Sequence, residues 1–218
     1  MMKAFLASAA LVLAMTGAAH AQGIFPGSAD IGDIPPGTTK YDKATQTYEM
    51  TGGGVDMWGT SDSFRFSWQQ VTGDWAVTAS VAFPSGSHPP NEKAVLIFRE
   101  SLDPDSPYVD VAVHADGHIT LQWRSAQGAV TADTTATVSL PNITLLRIER
   151  HGNHYVGMTA GQDGQFHEFA SKDVTLKEPL YVGIGVCAHD AARGVATIEF
   201  SHVKVELLST PVTESAGQ

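Results

Sequence analysis

From residue 45 onward the chain reads as short runs in which apolar and polar side chains alternate, separated by clusters of Gly, Asp, Pro and Asn. A period of two marks a strand with one buried face, and such runs recurring between turn residues point to a sandwich or barrel. The alternation predicts strands over 45–51, 63–70, 74–83, 93–101, 107–114, 118–125, 129–136, 143–151, 154–160, 165–171, 180–189 and 195–207. In 180–189, Leu180, Val182, Ile184 and Val186 alternate with Tyr181, Gly183, Gly185, Cys187 and His189. The run 93–101 is apolar on both faces until Arg99 and Glu100, which suits a central strand covered on each side. On the pattern alone the expected fold class is all-β, a sandwich or barrel.

One hairpin commits itself to a register. Ala115-Asp116-Gly117 fits a three-residue loop with Gly in the left-handed position. His114 then faces His118, Ala112 faces Thr120, Asp110 faces Gln122 and Tyr108 faces Arg124, all on one side of the sheet. Val109, Val111 and Val113 take the other side with Trp123, Leu121 and Ile119. One face is therefore a core face. The opposite face, polar and aromatic, is the candidate site.

The remaining segments carry less pattern. Met1, Met2 and Lys3, the apolar run Ala4–Met15 and the small-residue stretch ending Ala19-His20-Ala21 have the three parts of a secretory signal peptide over 1–21. The apolar run is shorter than the roughly 20 residues that cross a bilayer, so no membrane span is expected. The expected product starts near Gln22 and is exported, to the periplasm or the exterior. Residues 22–40, with several Pro and Gly, read as an extended lead-in; 41–208 form the domain, and 209–218 form a flexible tail.

Charge and cysteine content narrow the partners. Thirteen Lys and Arg stand against 23 Asp and Glu, a formal charge of −10, which repels phosphate backbones and argues against nucleic acid. A single cysteine, Cys187, excludes an intramolecular disulfide.

The candidate chemistry follows from the polar face. Tyr108 would stack on a sugar ring while Asp110, Gln122 and Arg124 bond its hydroxyls, with Arg99 and His114 beside them. The alternative for Asp110 and Arg124 is a solvated diagonal ion pair that contributes little to stability. His114, His118 and His189 could ligate Zn²⁺ or Cu²⁺, or stand as exposed turn residues. Asp103, Asp105 and Ser106 offer oxygens of the kind Ca²⁺ takes, although Asp and Pro are also what a turn requires. No cofactor is needed to account for the pattern. Cys187 reads as a small packing residue, with a Cys187–His189 nucleophile pair as the alternative.

Several stretches together resemble a known family. They are Trp58-Gly59-Thr60-Ser61-Asp62, Gly73-Asp74-Trp75, the run from Phe98 to Asp110, Leu121-Gln122-Trp123-Arg124, Leu146-Arg147-Ile148-Glu149-Arg150, Asp163-Gly164, and Val182–Val186 before Phe200. Their order is similar to that of the regulation-of-enolase type domain of the concanavalin A-like lectin and glucanase superfamily. The resemblance covers residues 40–207 and implies a two-sheet antiparallel jelly-roll sandwich with a concave polar face. It assigns no activity, because this sandwich hosts lectins, glycanases, lyases and spacers alike. Relatives fused to Tol-type propellers make a cell-envelope protein one implied partner. The E-x-D-x-x-E arrangement of glycanases on this fold is missing from the chain, which removes sequence support for the ordinary retaining reaction. The leading expectation is a secreted or periplasmic carbohydrate-binding module whose partner is a glycan. A lyase or hydrolase on the same face, with His114 as acid or base, and a non-catalytic envelope-interaction domain are the alternatives.

Overall fold

The computed structural model describes residues 23–84, 88–136, 143–161, 163–192 and 194–209. The proposed leader, 1–21, and nearly all of the tail lie outside them. Two seven-stranded sheets, antiparallel throughout, make the fold. Across the first sheet run β1 (Gly27–Ile31), β6 (Phe64–Val71), β15 (Leu180–Cys187), β8 (Lys93–Arg99), β9 (Tyr108–His114), β10 (Ile119–Arg124) and β11 (Ala132–Ala136). Across the second run β14 (Phe166–Asp173), β13 (His154–Ala160), β12 (Ile143–His151), β7 (Trp75–Ala82), β16 (Ala196–Leu207), β3 (Thr47–Gly52) and β2 (Thr38–Asp42). A small hairpin of β4 (Met57–Trp58) and β5 (Ser61–Asp62) stands apart from both. This is the all-β architecture that the alternation predicts, in the two-sheet jelly-roll form that the resemblance implies.

The core lies where the apolar sets of the two sheets meet. Leu96, Phe98, Val109, Val111, Leu121, Val182 and Ile184 from the first sheet pack with Val77, Ala79, Leu146, Ile148, Ile198 and Phe200 from the second. Each such side chain contributes about 1.5–3 kcal/mol by leaving water. Phe98 and Tyr155 bridge the sheets edge to face, with ring centroids 5.6 Å apart. The segment 22–40, read as a lead-in, is paired into both sheets where it is described. Its β1 closes the edge of the first sheet against β6, and its β2 closes the edge of the second against β3. Both edges gain a partner strand, which removes rows of unpaired backbone groups.

The predicted hairpin register holds along its whole length. Ala112 faces Thr120, Asp110 faces Gln122 and Tyr108 faces Arg124. His114 N–H donates to His118 O at 2.9 Å, and Gly117 takes φ of 94°, the left-handed conformation that its lack of Cβ permits. The strand over 93–99 is buried at every residue, so it is central and covered on both faces.

Candidate functional site

The strand registers align the outer face of the first sheet in rows. One row runs Tyr181, Arg99, Tyr108, Arg124, and the next runs Gly183, Ile97, Asp110, Gln122, Asp133. A third runs Gly185, Val95, Ala112, Thr120, Thr135, and Cys187, Lys93 and His114 follow. The alternation assigns these side chains to their face correctly. It does not reveal that half of the face is covered.

Over the first row fold the β4–β5 hairpin and the loops 100–107 and 125–131, stitched together by Asp62 N–H to Pro104 O at 2.8 Å and Thr131 N–H to Gly59 O at 2.7 Å. Beneath them Ile31, Met57, Phe64, Phe66, Val95, Ile97, Tyr108 and Ala112 form a second apolar cluster. Gly185 belongs to this arrangement, since a Cβ there would lie 2.8 Å from the Phe64 ring.

Four of the predicted binding residues are therefore interior: Tyr108, Asp110, Arg99 and Arg124 have no exposed surface. Tyr108 Oη donates to Met57 O at 3.3 Å and lies 3.1 Å from Thr131 Oγ1. Arg124 makes a bidentate pair with Asp62, 2.7 and 2.8 Å, and its remaining donors reach the carbonyls of Ala129, Pro104, Ser106 and Gly59. Arg99 donates to the same carboxylate at 3.2 Å and to the carbonyls of Ser101 and Asp103. Each guanidinium also stacks on a ring, Arg124 on Tyr108 and Arg99 on Phe64. Burial pushes the Asp62 carboxyl up, and the two guanidinium groups pull against that. Both expectations for Arg124, contact with a ligand and a solvated ion pair with Asp110, are corrected. Arg124 holds three loops down through a buried charge cluster, and Asp110 has no hydrogen-bond partner.

Beyond the covered rows the face opens into a cleft of about 230 Å³. Thr120 and Gln122 of β10, with His114 of β9, belong to its inner wall, and Asp133 and Thr135 of the edge strand β11 form one rim. Asp56 and Trp58 form the opposite wall with Lys93 and His189. Trp58 is 40% exposed, held out by the tight turn at Gly59 between β4 and β5. Lys93 Nζ donates to Asp56 Oδ1 at 2.8 Å and His189 Nε2 lies 3.3 Å from Asp56 Oδ2.

Polar atoms on this part of the face are buried without partners among the described residues. They are Gln122 Oε1, Thr120 Oγ1, His114 Nε2 and both carboxyl oxygens of Asp110. Buried polar groups are normally satisfied, and leaving one unmade costs about 1–3 kcal/mol. Burial raises the Asp110 carboxyl well above its ordinary range, so it favours the neutral acid. Burial, aided by the Lys93 charge, lowers His114 to about 4, so its ring is neutral near pH 7.

The other candidates separate. His114 and His118 rings do meet, 5.8 Å apart, but His118 turns to Asp116 and His189 to Asp56. Among the described residues no group of three His, Cys, Asp or Glu is gathered to hold a metal ion. In the 103–107 loop the backbone oxygens of Asp103, Pro104 and Ser106 accept from Arg99 and Arg124. Cys187 is buried, its thiol lies 3.7 Å from Gly54 O, and burial pushes it up to about 12, so it is a packing residue and not a nucleophile. Of the predicted set, His114 and Gln122 line the cleft. Trp58, Lys93, Asp56, Thr120 and Asp133 join them without having been singled out as site residues. The signal for Trp58 was present, an aromatic beside the turn residue Gly59.

No family model matches the chain, and no curated protein matches it. Solved structures do match in fold. One is a functionally unknown protein from Saccharomyces cerevisiae, with TM-score 0.64 and 13% identity over 84% of this chain and 97% of that one. Another is the carbohydrate binding module CBM66 from Bacillus subtilis, with TM-score 0.56 and 14% identity over 83% and 95%. A third is the GH43 protein BlXynB from Bacillus licheniformis, TM-score 0.53 and 10% identity, covering 83% of this chain and 39% of that one. At such identities the likeness is one of fold, and that fold is the jelly-roll sandwich found in a carbohydrate-binding module and in a GH43 protein.

Proposed function

We propose that the chain is a carbohydrate-binding module whose ligand occupies the cleft between β10–β11 and the β4–β5 hairpin. The observation that carries this reading is the set of unpartnered polar atoms, Gln122 Oε1, Thr120 Oγ1 and His114 Nε2, beside an exposed indole. A sugar presents hydroxyls that donate and accept on its edges and apolar C–H faces that stack on an aromatic ring. Those are the complements of Gln122, Thr120 and His114 on one side and Trp58 on the other. The sandwich shared with CBM66 supports the same reading. The leader-like segment 1–21 fits an exported protein meeting its glycan in the periplasm or outside the cell.

A second reading rests on His114 alone. A neutral imidazole with an unpartnered Nε2 has the protonation state of a general base, so a glycan-processing enzyme is the alternative. A polysaccharide panel followed by product analysis separates the two. Binding without product supports the module, and product that disappears in His114→Gln supports the enzyme. A panel in which nothing binds contradicts both and leaves an envelope-protein partner.

A further inference from the structure

We infer that the cleft selects uncharged polyhydroxyl sugars and rejects uronates and sulfated sugars, with Asp133 as the residue that sets this preference; the inference rests on the cleft being the binding site. The argument begins with the positive charges. Recognition of a sugar carboxylate or sulfate calls for a cation with free donors aimed at the ligand. Arg99 and Arg124, the residues suited to that task, are sealed away on Asp62. Among the described residues, each cation lining the cleft already faces a carboxylate. Lys93 and His189 both meet Asp56, and His118 meets Asp116.

The negative charges lie differently. Asp133 is exposed on the edge strand, opposite Gln122 in register, and Thr135 Oγ1 donates to its Oδ2 at 2.8 Å. Its other oxygen is left for ligand donors. Gln122 and Thr120 on the inner wall are 2% and 5% exposed, and their orphaned oxygens accept from a hydroxyl but cannot neutralise an anion. An acidic sugar seated here would bring its charge against Asp133 and Asp56 with no free cation among the described residues to meet it. A neutral polyol would fill the same acceptors. Like charges brought together in an interface repel, so the wrong ligand is excluded by repulsion as well as by lost bonds.

Affinity electrophoresis of the full chain tests this, in gels containing dextran, inulin, xylan, mannan or galactan and in gels containing alginate, polygalacturonate or chondroitin sulfate. The expected result is retardation by at least one neutral polymer and roughly tenfold or weaker affinity for every acidic one. Carboxyl-reduced polygalacturonate should bind better than its parent. Asp133→Asn should narrow the gap between neutral and acidic polymers. Glu199→Gln, which removes the same charge from the far sheet, should leave the gap unchanged. An acidic polymer that binds as tightly as the best neutral one overturns the inference and leaves the cleft reading standing. A gap that is the same in Asp133→Asn and the parent protein also overturns it. No retardation in any gel removes the inference together with the reading beneath it.

Discussion

Arg124 grips Asp62 through two parallel hydrogen bonds, Nη2 to Oδ1 at 2.7 Å and Nη1 to Oδ2 at 2.8 Å, across 62 residues of sequence. Neither side chain has exposed surface. The pair clamps the β4–β5 hairpin over the end of the first sheet, and Arg99 completes it from β8. Removing one member of such a cluster strands a buried charge, which costs about 3–5 kcal/mol. Asp62→Ala should therefore lower the urea midpoint strongly, and so should Arg124→Ala. Arg124→Lys should rescue little, because an ammonium cannot make the two-pronged bond. A midpoint for Asp62→Ala equal to that of the parent protein would mean the loops are held by other contacts.

Asp110 should make the protein less stable as pH rises. Its carboxyl is raised by burial above the ordinary value of 3.8, so the folded chain holds this proton more tightly than the unfolded chain does. The stabilising contribution is complete below that ordinary value and is lost as pH climbs through the raised one. Asp110→Asn removes the titration. Melting curves should show the variant gaining on the parent protein between pH 4 and pH 8. A difference that stays constant with pH would contradict a buried neutral acid.

His114 acts in the opposite sense. Its folded value, lowered from 6.5 to about 4, means that acid favours the unfolded chain. Stability is full above pH 6.5 and is lost as pH falls toward about 4. His114→Gln should flatten that part of the profile in thermal melts. Because the ring stays neutral across pH 5.5 to 8, glycan affinity carried by His114 should be level there. A steep loss of affinity just below pH 7 would contradict a buried, neutral His114 as the ligand contact.

The strands and the hairpin register were legible because a buried sheet face imposes a period of two. Leu180 to Val186 and Val109 to Val113 carry that period plainly. The hairpin register also assigned Tyr108 and Arg124 to the correct face. It could not say what lies over that face, because cover comes from Met57, Gly59 and Asp62, in a loop with no period of its own. The same limit concealed the site. Trp58 and Asp56 reach the cleft only through the fold of that loop, and Asp133 only through the pairing of β11 with β10. β1 and β2 were hidden for a related reason, since edge strands of five residues among Pro and Gly have little alternation to show.

The central claim is that the cleft binds sugar through side chains the fold itself leaves unsatisfied, and Gln122 tests it most directly. Its Oε1 has no partner among the described residues, so Gln122→Leu should cost the fold little or even stabilise it. With the polysaccharide that retards the protein most, isothermal titration of Gln122→Leu should show affinity reduced by about tenfold, the worth of a hydrogen bond to a buried group. The melting temperature should be equal to or above that of the parent protein. Unchanged affinity in Gln122→Leu with a lowered melting temperature would contradict the account, making Gln122 a structural residue and placing the ligand elsewhere.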